Sequence, residues 1–237
     1  MGTDITPQPV GTPPPSGTEG AGTKALDKSI ISYEPPDTGM PKTRIGAGTR
    51  GPGNGIARPW LAVIAPQGET SSYTVQDQPV FYWYQIDVSD KEKVLFTIQD
   101  KDEFDPLLEI EVKDPQAPGY HKFDLKDHPQ AKLLPGKTYR WSVTIFTESQ
   151  GLSSADIVAS ANIQLKPNAQ LSEKLEQEKD ATTRASILGD AGYWYDLFHE
   201  LSKLLADQPE NEKLIEMRNA LLQKVELLKD IESNNQK

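Results

Sequence analysis

Few side chains in this sequence are spaced for acid–base or metal chemistry. The chain has three histidines, His121, His128 and His199, and none of them stands in a metal-ligand spacing such as H-E-x-x-H. His121 lies near the start of a predicted strand, His128 precedes a proline in a predicted loop, and His199 lies beside Glu200 on a predicted helix. We expect these histidines to be surface or partly buried residues without a catalytic role.

The densest group of carboxylates lies between two predicted strands, at Asp100, Asp102, Glu103 and Asp105. Oxygen ligands suit calcium, and paired carboxylates can hydrolyse glycosidic bonds. The calcium-loop pattern fails, because an Asp-Pro pair replaces its glycine turn and no distal glutamate follows at the required place. We predict a solvated hairpin loop and no cofactor or metal, with calcium binding and an unrecognised hydrolase as alternatives.

A glycine- and arginine-rich run, RIGAGTRG, occupies residues 44–51. A phosphate-binding loop would need a preceding strand and a following helix, whereas prolines flank this run on both sides. Two interpretations remain for it. The arm packs along the acidic domain with Arg44 and Arg50 paired to carboxylates, which we favour, or it is exposed and presents these arginines to a partner.

The segment PVFYWY at residues 79–84 puts aromatic side chains on both faces of one predicted strand. One face must belong to the core, and the other is covered by the chain's own helices or forms a binding platform. We favour coverage by the helices. Tyr82 and Tyr84 are nevertheless candidate partner contacts, and with Trp60 they could stack on a carbohydrate.

Composition limits the function classes further. The 237 residues carry a formal net charge of −10, so binding to nucleic acid or to an anionic membrane surface is not expected. Cysteine is absent, which excludes disulfides and thiolate chemistry. No run of 18 apolar residues occurs, so neither a membrane span nor a signal-peptide core is predicted. The oligomeric state is left open.

Composition and hydrophobic periodicity divide the chain into successive segments. Residues 1–30 are rich in Pro, Gly and Thr and are predicted to be a disordered tether, followed by the Gly/Arg arm over 31–58. Residues 59–167 alternate with period two and predict an antiparallel β-sandwich of about seven strands. The predicted inward positions are Leu61, Val63, Ala65, Val94, Phe96, Ile98, Leu108, Ile110, Val112, Phe123, Leu125, Tyr139, Trp141, Val143, Ile145, Ile157, Ala159, Ala161, Ile163 and Leu165.

The passage LPGKTYRW at residues 134–141 refines the type of sandwich. It resembles the turn-to-strand passage of fibronectin type III and related immunoglobulin-like modules. The resemblance implies that the hydroxyl of Tyr139 braces the turn and that Trp141 fills the core, so both residues would be structural.

Residues 168–237 have helical spacing and are predicted to pack on the sandwich. Asn168 would cap a helix ending near Lys179, and a second helix would run from Thr182 or Thr183 to about Asp190, before Gly192. A third would span residues 193–206, with Trp194 and several leucines on one face, and a single last helix would follow Pro209. Residues 185–211 resemble one tetratricopeptide unit, a helical hairpin without the neighbours that a solenoid needs.

The run at residues 44–51, with Tyr33 before it and PVFYWY after it, resembles the cyanobacterial family catalogued as domain of unknown function 928. This resemblance implies exported proteins, often encoded near two-partner secretion or other envelope genes, and hence a periplasmic or cell-surface location. Family members commonly carry one cysteine just after the run and another near the end of the strand that contains Trp141. This chain has GPG at 51–53 and TES at 147–149 instead, so if those cysteines pair in relatives, that disulfide is missing here.

The leading functional hypothesis is a non-catalytic cell-envelope module that recognises a protein partner through the Gly/Arg arm and the aromatic strand. A carbohydrate-binding sandwich and an unrecognised hydrolase are the alternatives.

Overall fold

The computed structural model describes residues 31–35, 59–66, 71–147 and 156–235. Within these ranges the chain forms eight strands followed by five α-helices, so the protein is mainly β with C-terminal helices, as predicted. The strands are β1 (Trp60–Val63), β2 (Ser72–Thr74), β3 (Val80–Ile86), β4 (Glu92–Asp100), β5 (Leu108–Glu111), β6 (Gly119–Asp124), β7 (Thr138–Thr147) and β8 (Ile157–Leu165). The helices are α1 (Ala169–Gln177), α2 (Ala181–Asp190), α3 (Trp194–Asp207), α4 (Glu212–Lys224) and α5 (Leu228–Asn235).

The strands form two sheets. One has the order β1–β3–β6 and is antiparallel, and the other has the order β2–β8–β7–β4–β5. In the second sheet only the β2–β8 pair is parallel. The sequence predicted about seven strands and missed β2, whose inward residues Ser72 and Thr74 are buried but polar, so that no apolar alternation marks the strand.

An aromatic cluster fills the space between the two sheets. The ring of Phe81 on β3 lies 5.2 Å from that of Phe96 on β4 and 4.9 Å from that of Trp141 on β7. Phe123 on β6 stacks on Phe96 with ring centroids 4.0 Å apart. The predicted alternation of β4 and β7 is confirmed by these contacts. Leu125 is buried as predicted, but it belongs to a short 3-10 helix instead of a strand.

The helices pack against the sheets chiefly through α3. The indole N–H of Trp194 donates a hydrogen bond of 2.9 Å to the carbonyl oxygen of Ile64, and the hydroxyl of Tyr195 donates one of 3.0 Å to the carbonyl oxygen of Asn162. Ala62 and Ile64 are therefore buried together with the predicted inward residues of β1. The period-two pattern identified one buried face of this segment, whereas both faces are covered.

The start of α2 and the number of helices after Pro209 differ from the prediction. Helix α2 begins at Ala181, because the side chain of Asp180 accepts a hydrogen bond of 2.7 Å from the N–H of Thr183 and is the N-cap. The single helix predicted after Pro209 is two helices, since the chain turns at Glu226 with φ of 62°. Asn168 caps α1 as predicted, accepting from the N–H of Leu171. None of the described helices is both long and apolar enough to cross a membrane.

Candidate functional site

The candidate contacts on the aromatic strand are buried. Tyr82 is 8% exposed and Tyr84 is 7% exposed. The ring of Tyr82 meets that of Phe198 on α3 edge-on, with centroids 5.2 Å apart. Tyr84 lies between Trp60 and Tyr120, at centroid distances of 6.1 and 4.8 Å. Neither tyrosine therefore offers an open ring face to a partner or a sugar, and α3 covers this part of the strand, as favoured from the sequence.

The remaining sequence-predicted residues divide into two groups. Arg44 and Arg50 lie outside the described residues. Tyr139, Trp141 and Trp194 are buried, and each makes a hydrogen bond that holds the fold together. The hydroxyl of Tyr139 accepts a bond of 3.1 Å from the backbone N–H at position 134, at the turn before β7. These contacts are those of structural side chains.

Two of the histidines are packed against aromatic rings. His121 stacks on Trp83 with centroids 5.3 Å apart, and its Nε2 lies 2.7 Å from the carbonyl oxygen of Ala117. His128 stacks on Phe123 at 5.0 Å. In the part of the chain that the structure describes, no group of three or more His, Asp or Glu side chains is arranged to hold a metal ion.

The acidic segment is the loop that joins β4 to β5. Asp100 is the last residue of β4, and its buried carboxylate accepts hydrogen bonds from the side chain of Lys137 and from the backbone N–H of Asp102. The bond from Lys137 holds the pKa of Asp100 below its ordinary value. This carboxylate is thus ionised and paired, which suits a structural tie better than a general acid.

The tip of the same loop exposes an aromatic ring. Phe104 is 94% exposed, the largest value among the large apolar side chains of the described residues. The loop backbone is held in place, since the side-chain amide of Gln99 donates to the carbonyl oxygens of Glu103 and Phe104 at 3.0 and 2.8 Å. The backbone N–H of Lys101 also donates to the carbonyl oxygen of Thr138 at 3.0 Å. The sequence-based prediction for this loop rested on its carboxylates, whereas a phenylalanine among acidic loop residues was the available signal for this exposed ring.

A polar cleft of about 410 Å³ lies where α1, α2 and α3 meet the chain between β2 and β3. Its charged and polar wall includes Gln76, Lys126, Asp196, His199, Glu200 and Lys203. No sequence pattern predicted this cleft, because its lining residues come from segments far apart in the chain.

Asp196 joins the first turn of α3 to the end of β2. Its carboxylate accepts hydrogen bonds from the backbone N–H of Val75 at 3.1 Å and from the hydroxyl of Thr74 at 3.3 Å. Burial raises the pKa of Asp196 to about 7, although these two hydrogen bonds act in the opposite direction. Near neutral pH this carboxyl group therefore exists in both protonation states.

His199 follows Asp196 by three residues and so lies on the same side of α3. A hydrogen bond of 2.9 Å joins its Nδ1 to the hydroxyl of Tyr82. Burial lowers the pKa of His199 and raises that of Tyr82 to about 12, so the pair is neutral near pH 7. A neutral imidazole and a carboxyl group that titrates near 7, both lining one cleft, have the protonation states that general acid–base chemistry uses.

Glu200 is the paired anion of the cleft. Its carboxylate accepts a bond of 2.7 Å from Arg184 on α2 and lies 3.3 Å from the amine of Lys203. Burial favours the neutral acid, but the Arg184 hydrogen bond and the Lys203 charge outweigh it and lower the pKa of Glu200. This ion pair ties α2 to α3 and fixes one wall of the cleft.

Comparisons with known proteins agree with the family suggested by the glycine-rich run. The search of curated proteins and the search of solved structures gave no match. The model of one family matches residues 45–235, which include both sheets and all five described helices. The chain therefore belongs to the family described as Domain of Unknown Function (DUF928).

Proposed function

We propose that this protein is a non-catalytic interaction module of the cell envelope that binds a protein partner through the tip of the β4–β5 loop. The observation that carries the proposal is the exposure of Phe104, a whole aromatic side chain in solvent on a loop held by hydrogen bonds. A large apolar side chain costs free energy in water, and exposed aromatic anchors are enriched at protein interfaces.

The loop is ordered before a partner arrives. Its carbonyl groups are held by Gln99, and its base is fixed by the ion pair of Asp100 with Lys137. An ordered loop loses little backbone conformational entropy on binding, because its backbone is already held in place.

Charge defines the kind of partner. Asp102, Glu103 and Asp105 surround Phe104 and are exposed. The complementary surface is an apolar pocket with a rim of Lys or Arg side chains, since opposite charges steer association and suppress wrong partners. Phosphate backbones and anionic lipids would be repelled. Arg44 and Arg50 stay candidate contacts of the same partner.

Site-specific photo-crosslinking tests this function. The photoreactive residue p-benzoylphenylalanine is placed at Phe104 in one variant and at Val158, which is 46% exposed on β8, in a matched control. We expect a discrete protein adduct in the envelope fraction for position 104 and not for position 158. The adduct yield should fall as salt is raised from about 0.05 to about 0.5 M, because screening weakens the charged rim. Identical adducts at both positions, or none at position 104, would contradict the proposal.

The envelope location follows from the family resemblance alone. Cell fractionation of the host organism tests it directly. Recovery of the protein with the cytoplasmic fraction would remove this part of the proposal and would leave the contact role of Phe104 open to the same crosslinking test.

The proposal includes an immunoglobulin-like class for the two sheets. The order β1–β3–β6 corresponds to strands A, B and E of that class, and β8–β7–β4 corresponds to G, F and C. The hydrogen bond from the backbone N–H of Leu134 to the hydroxyl of Tyr139 supports it further, since a tyrosine at the start of strand F makes this contact in such domains. The α2–α3 hairpin, with its turn at Gly192, is the part that resembles a single tetratricopeptide unit.

Hydrolysis in the polar cleft is the second candidate function. It is favoured by the placement of Asp196 and His199 about one turn apart on α3, both lining the cleft, where one could act as an acid and the other as a base. A panel of nitrophenyl esters and glycosides would detect such activity. It should be lost in both Asp196→Asn and His199→Gln and kept in the matched variant His121→Gln, whose histidine lies outside the cleft. A panel without turnover by the unmodified chain would remove this candidate.

A further inference from the structure

Residues 31–35 cross the α2–α3 hairpin as a short extended segment that belongs to neither sheet. Ile31 and Tyr33 are 2% and 1% exposed, whereas Ser32 and Glu34 between and after them face solvent. The ring of Tyr33 meets that of Trp194 edge-on, with centroids 4.9 Å apart. Two anchors at positions i and i+2 on one side are the pattern by which an extended peptide binds a groove.

The groove accepts the peptide backbone because its floor is a glycine. A Cβ at Gly189 of α2 would lie 1.9 Å from the carbonyl oxygen of Ser32. The backbone N–H of Glu34 donates a bond of 3.1 Å to the carbonyl oxygen of Gly189. Glycine is a poor residue inside a helix compared with alanine, and here it allows this close approach.

The fit to tyrosine is incomplete. The hydroxyl of Tyr33 is buried and makes no hydrogen bond of good geometry among the described residues, where the side chain of Ser72 is the polar group that interacts with it. Burial also raises the pKa of Tyr33 to about 12. The pocket is therefore shaped for an aromatic ring but gives the oxygen no hydrogen bond of good geometry, which weakens the binding of this segment.

We propose that the α2–α3 face is a docking groove for extended peptides with a large apolar side chain at position i and an aromatic one at i+2, and that residues 31–35 are its displaceable resident occupant. The groove residues Gly189 and Trp194 lie within the region that the family model matches, whereas the occupant precedes that region. The groove is a second surface, independent of the role of Phe104.

The test uses the full chain and a dye-labelled peptide with the sequence of residues 29–37, SIISYEPPD. In the unmodified protein the covalently attached segment competes at a high effective concentration, so the free peptide binds weakly. The variant Tyr33→Ala vacates the ring pocket. Its Kd for the peptide, from fluorescence anisotropy, should be at least about tenfold lower than that of the unmodified chain.

Two further probes examine the specificity of the groove. A peptide carrying Tyr33→Phe should bind the Tyr33→Ala chain about tenfold more tightly, because it does not bury an unpaired hydroxyl. A peptide carrying Tyr33→Ala should not bind. The double variant Tyr33→Ala, Gly189→Ala should keep its helical circular dichroism, since alanine favours the helix, and should lose the peptide.

Each outcome decides the proposal. Peptide binding that depends on the aromatic ring and on Gly189 supports it. A folded Tyr33→Ala chain that does not bind the peptide overturns it, and so does unfolding of that variant, because residues 31–35 would then be an integral part of the core.

Discussion

The indole N–H of Trp141 on β7 donates a hydrogen bond of 2.8 Å to the hydroxyl of Tyr195 on α3. The same hydroxyl donates to the carbonyl oxygen of Asn162 on β8 at 3.0 Å. Tyr195 also contacts Phe81, with centroids 5.8 Å apart, so a side chain of the helical region completes the core between the sheets. The sheets and helices are therefore expected to unfold together.

The hydroxyl of Tyr195 should contribute measurably to stability. Tyr195→Phe removes the partner of the buried Trp141 N–H, and an unsatisfied buried donor costs about 1–3 kcal/mol. Tyr33→Phe is the matched control, because its buried hydroxyl makes no hydrogen bond of good geometry in the described region, and it should be neutral or stabilising. Urea unfolding curves of both variants measure the difference. Equal destabilisation by the two changes would contradict the assigned hydrogen bond.

Trp141 and Tyr139 are adjacent inward positions of β7 with unequal expected contributions. Trp141→Ala creates a large cavity and should cost about 3–5 kcal/mol, a large part of the roughly 5–15 kcal/mol that stabilises a typical domain. Tyr139→Phe loses only the hydrogen bond from the Leu134 backbone and should cost about 1 kcal/mol. Thermal unfolding measures both. An unchanged Tm for Trp141→Ala would show that this ring does not belong to the core.

The alternation of apolar side chains was sufficient to predict the strands that carry the core. Phe96 and Trp141 stand in period-two apolar runs, and both are buried in the structure. It was not sufficient for β2, whose buried positions Ser72 and Thr74 are polar. Their burial depends on pairing with β8, about 90 residues later in the chain, which local pattern does not encode.

The polar cleft could not be predicted for a related reason. Asp196 and its partner Val75 are 121 residues apart, and only the packing of α3 on β2 brings them together. On its own, the sequence around Asp196 and His199 looks like the solvated face of an amphipathic helix. The exposed Phe104 was visible in the sequence, but its exposure depends on how the loop is tied to Thr138.

Asp196 should make stability fall as pH rises toward neutrality. Its pKa is about 7 in the folded protein, against an ordinary value of 3.8 for an aspartate in the unfolded chain, so the folded state binds more protons between these values. The stabilisation from this group is full below pH 3.8 and is lost as pH rises through about 7. Asp196→Asn keeps an acceptor for the N–H of Val75 and removes the titration. Above about pH 7 it should be more stable than the unmodified chain by on the order of 1–3 kcal/mol.

The measurement for Asp196 is urea unfolding of both chains at several pH values between about 5 and about 8, because the stability difference should grow up to the folded pKa of about 7 and level off above it. The difference between them cancels other titrating groups, including His199, whose lowered pKa acts in the opposite direction. Asp196→Ala is the control, because it loses the bonds to Thr74 and Val75 and should be destabilised across the range. A difference between Asp196→Asn and the unmodified chain that does not change with pH would show that this carboxyl titrates normally.

Helices α2 and α4 end in the same type of turn with different residues at its critical position. The residue after the C-cap is Gly192 in α2, with φ of 79°, and Glu226 in α4, with φ of 62°. In each turn the next backbone N–H donates to a carbonyl five residues earlier, that of Leu188 at 3.0 Å and that of Leu222 at 2.8 Å. This is the Schellman arrangement, in which glycine is usual. Gly192 allowed the end of α2 to be predicted from the sequence, whereas Glu226 gave no such signal for the end of α4.

Glu226→Gly should therefore stabilise the protein. The left-handed conformation costs a side-chain-bearing residue about 1–2 kcal/mol, and the greater freedom of glycine in the unfolded chain returns about 0.5–1 kcal/mol of this, so the expected net gain is about 0.5–1 kcal/mol. Gly192→Ala is the reciprocal change and should lower stability by about 1–2 kcal/mol, because a residue with a Cβ is strained in the left-handed conformation that this turn requires. Chemical unfolding at neutral pH measures both variants. Destabilisation by Glu226→Gly would mean that contacts of the exposed glutamate side chain outweigh the conformational term, and that α4 and α5 are held at their angle by that side chain instead of by the turn.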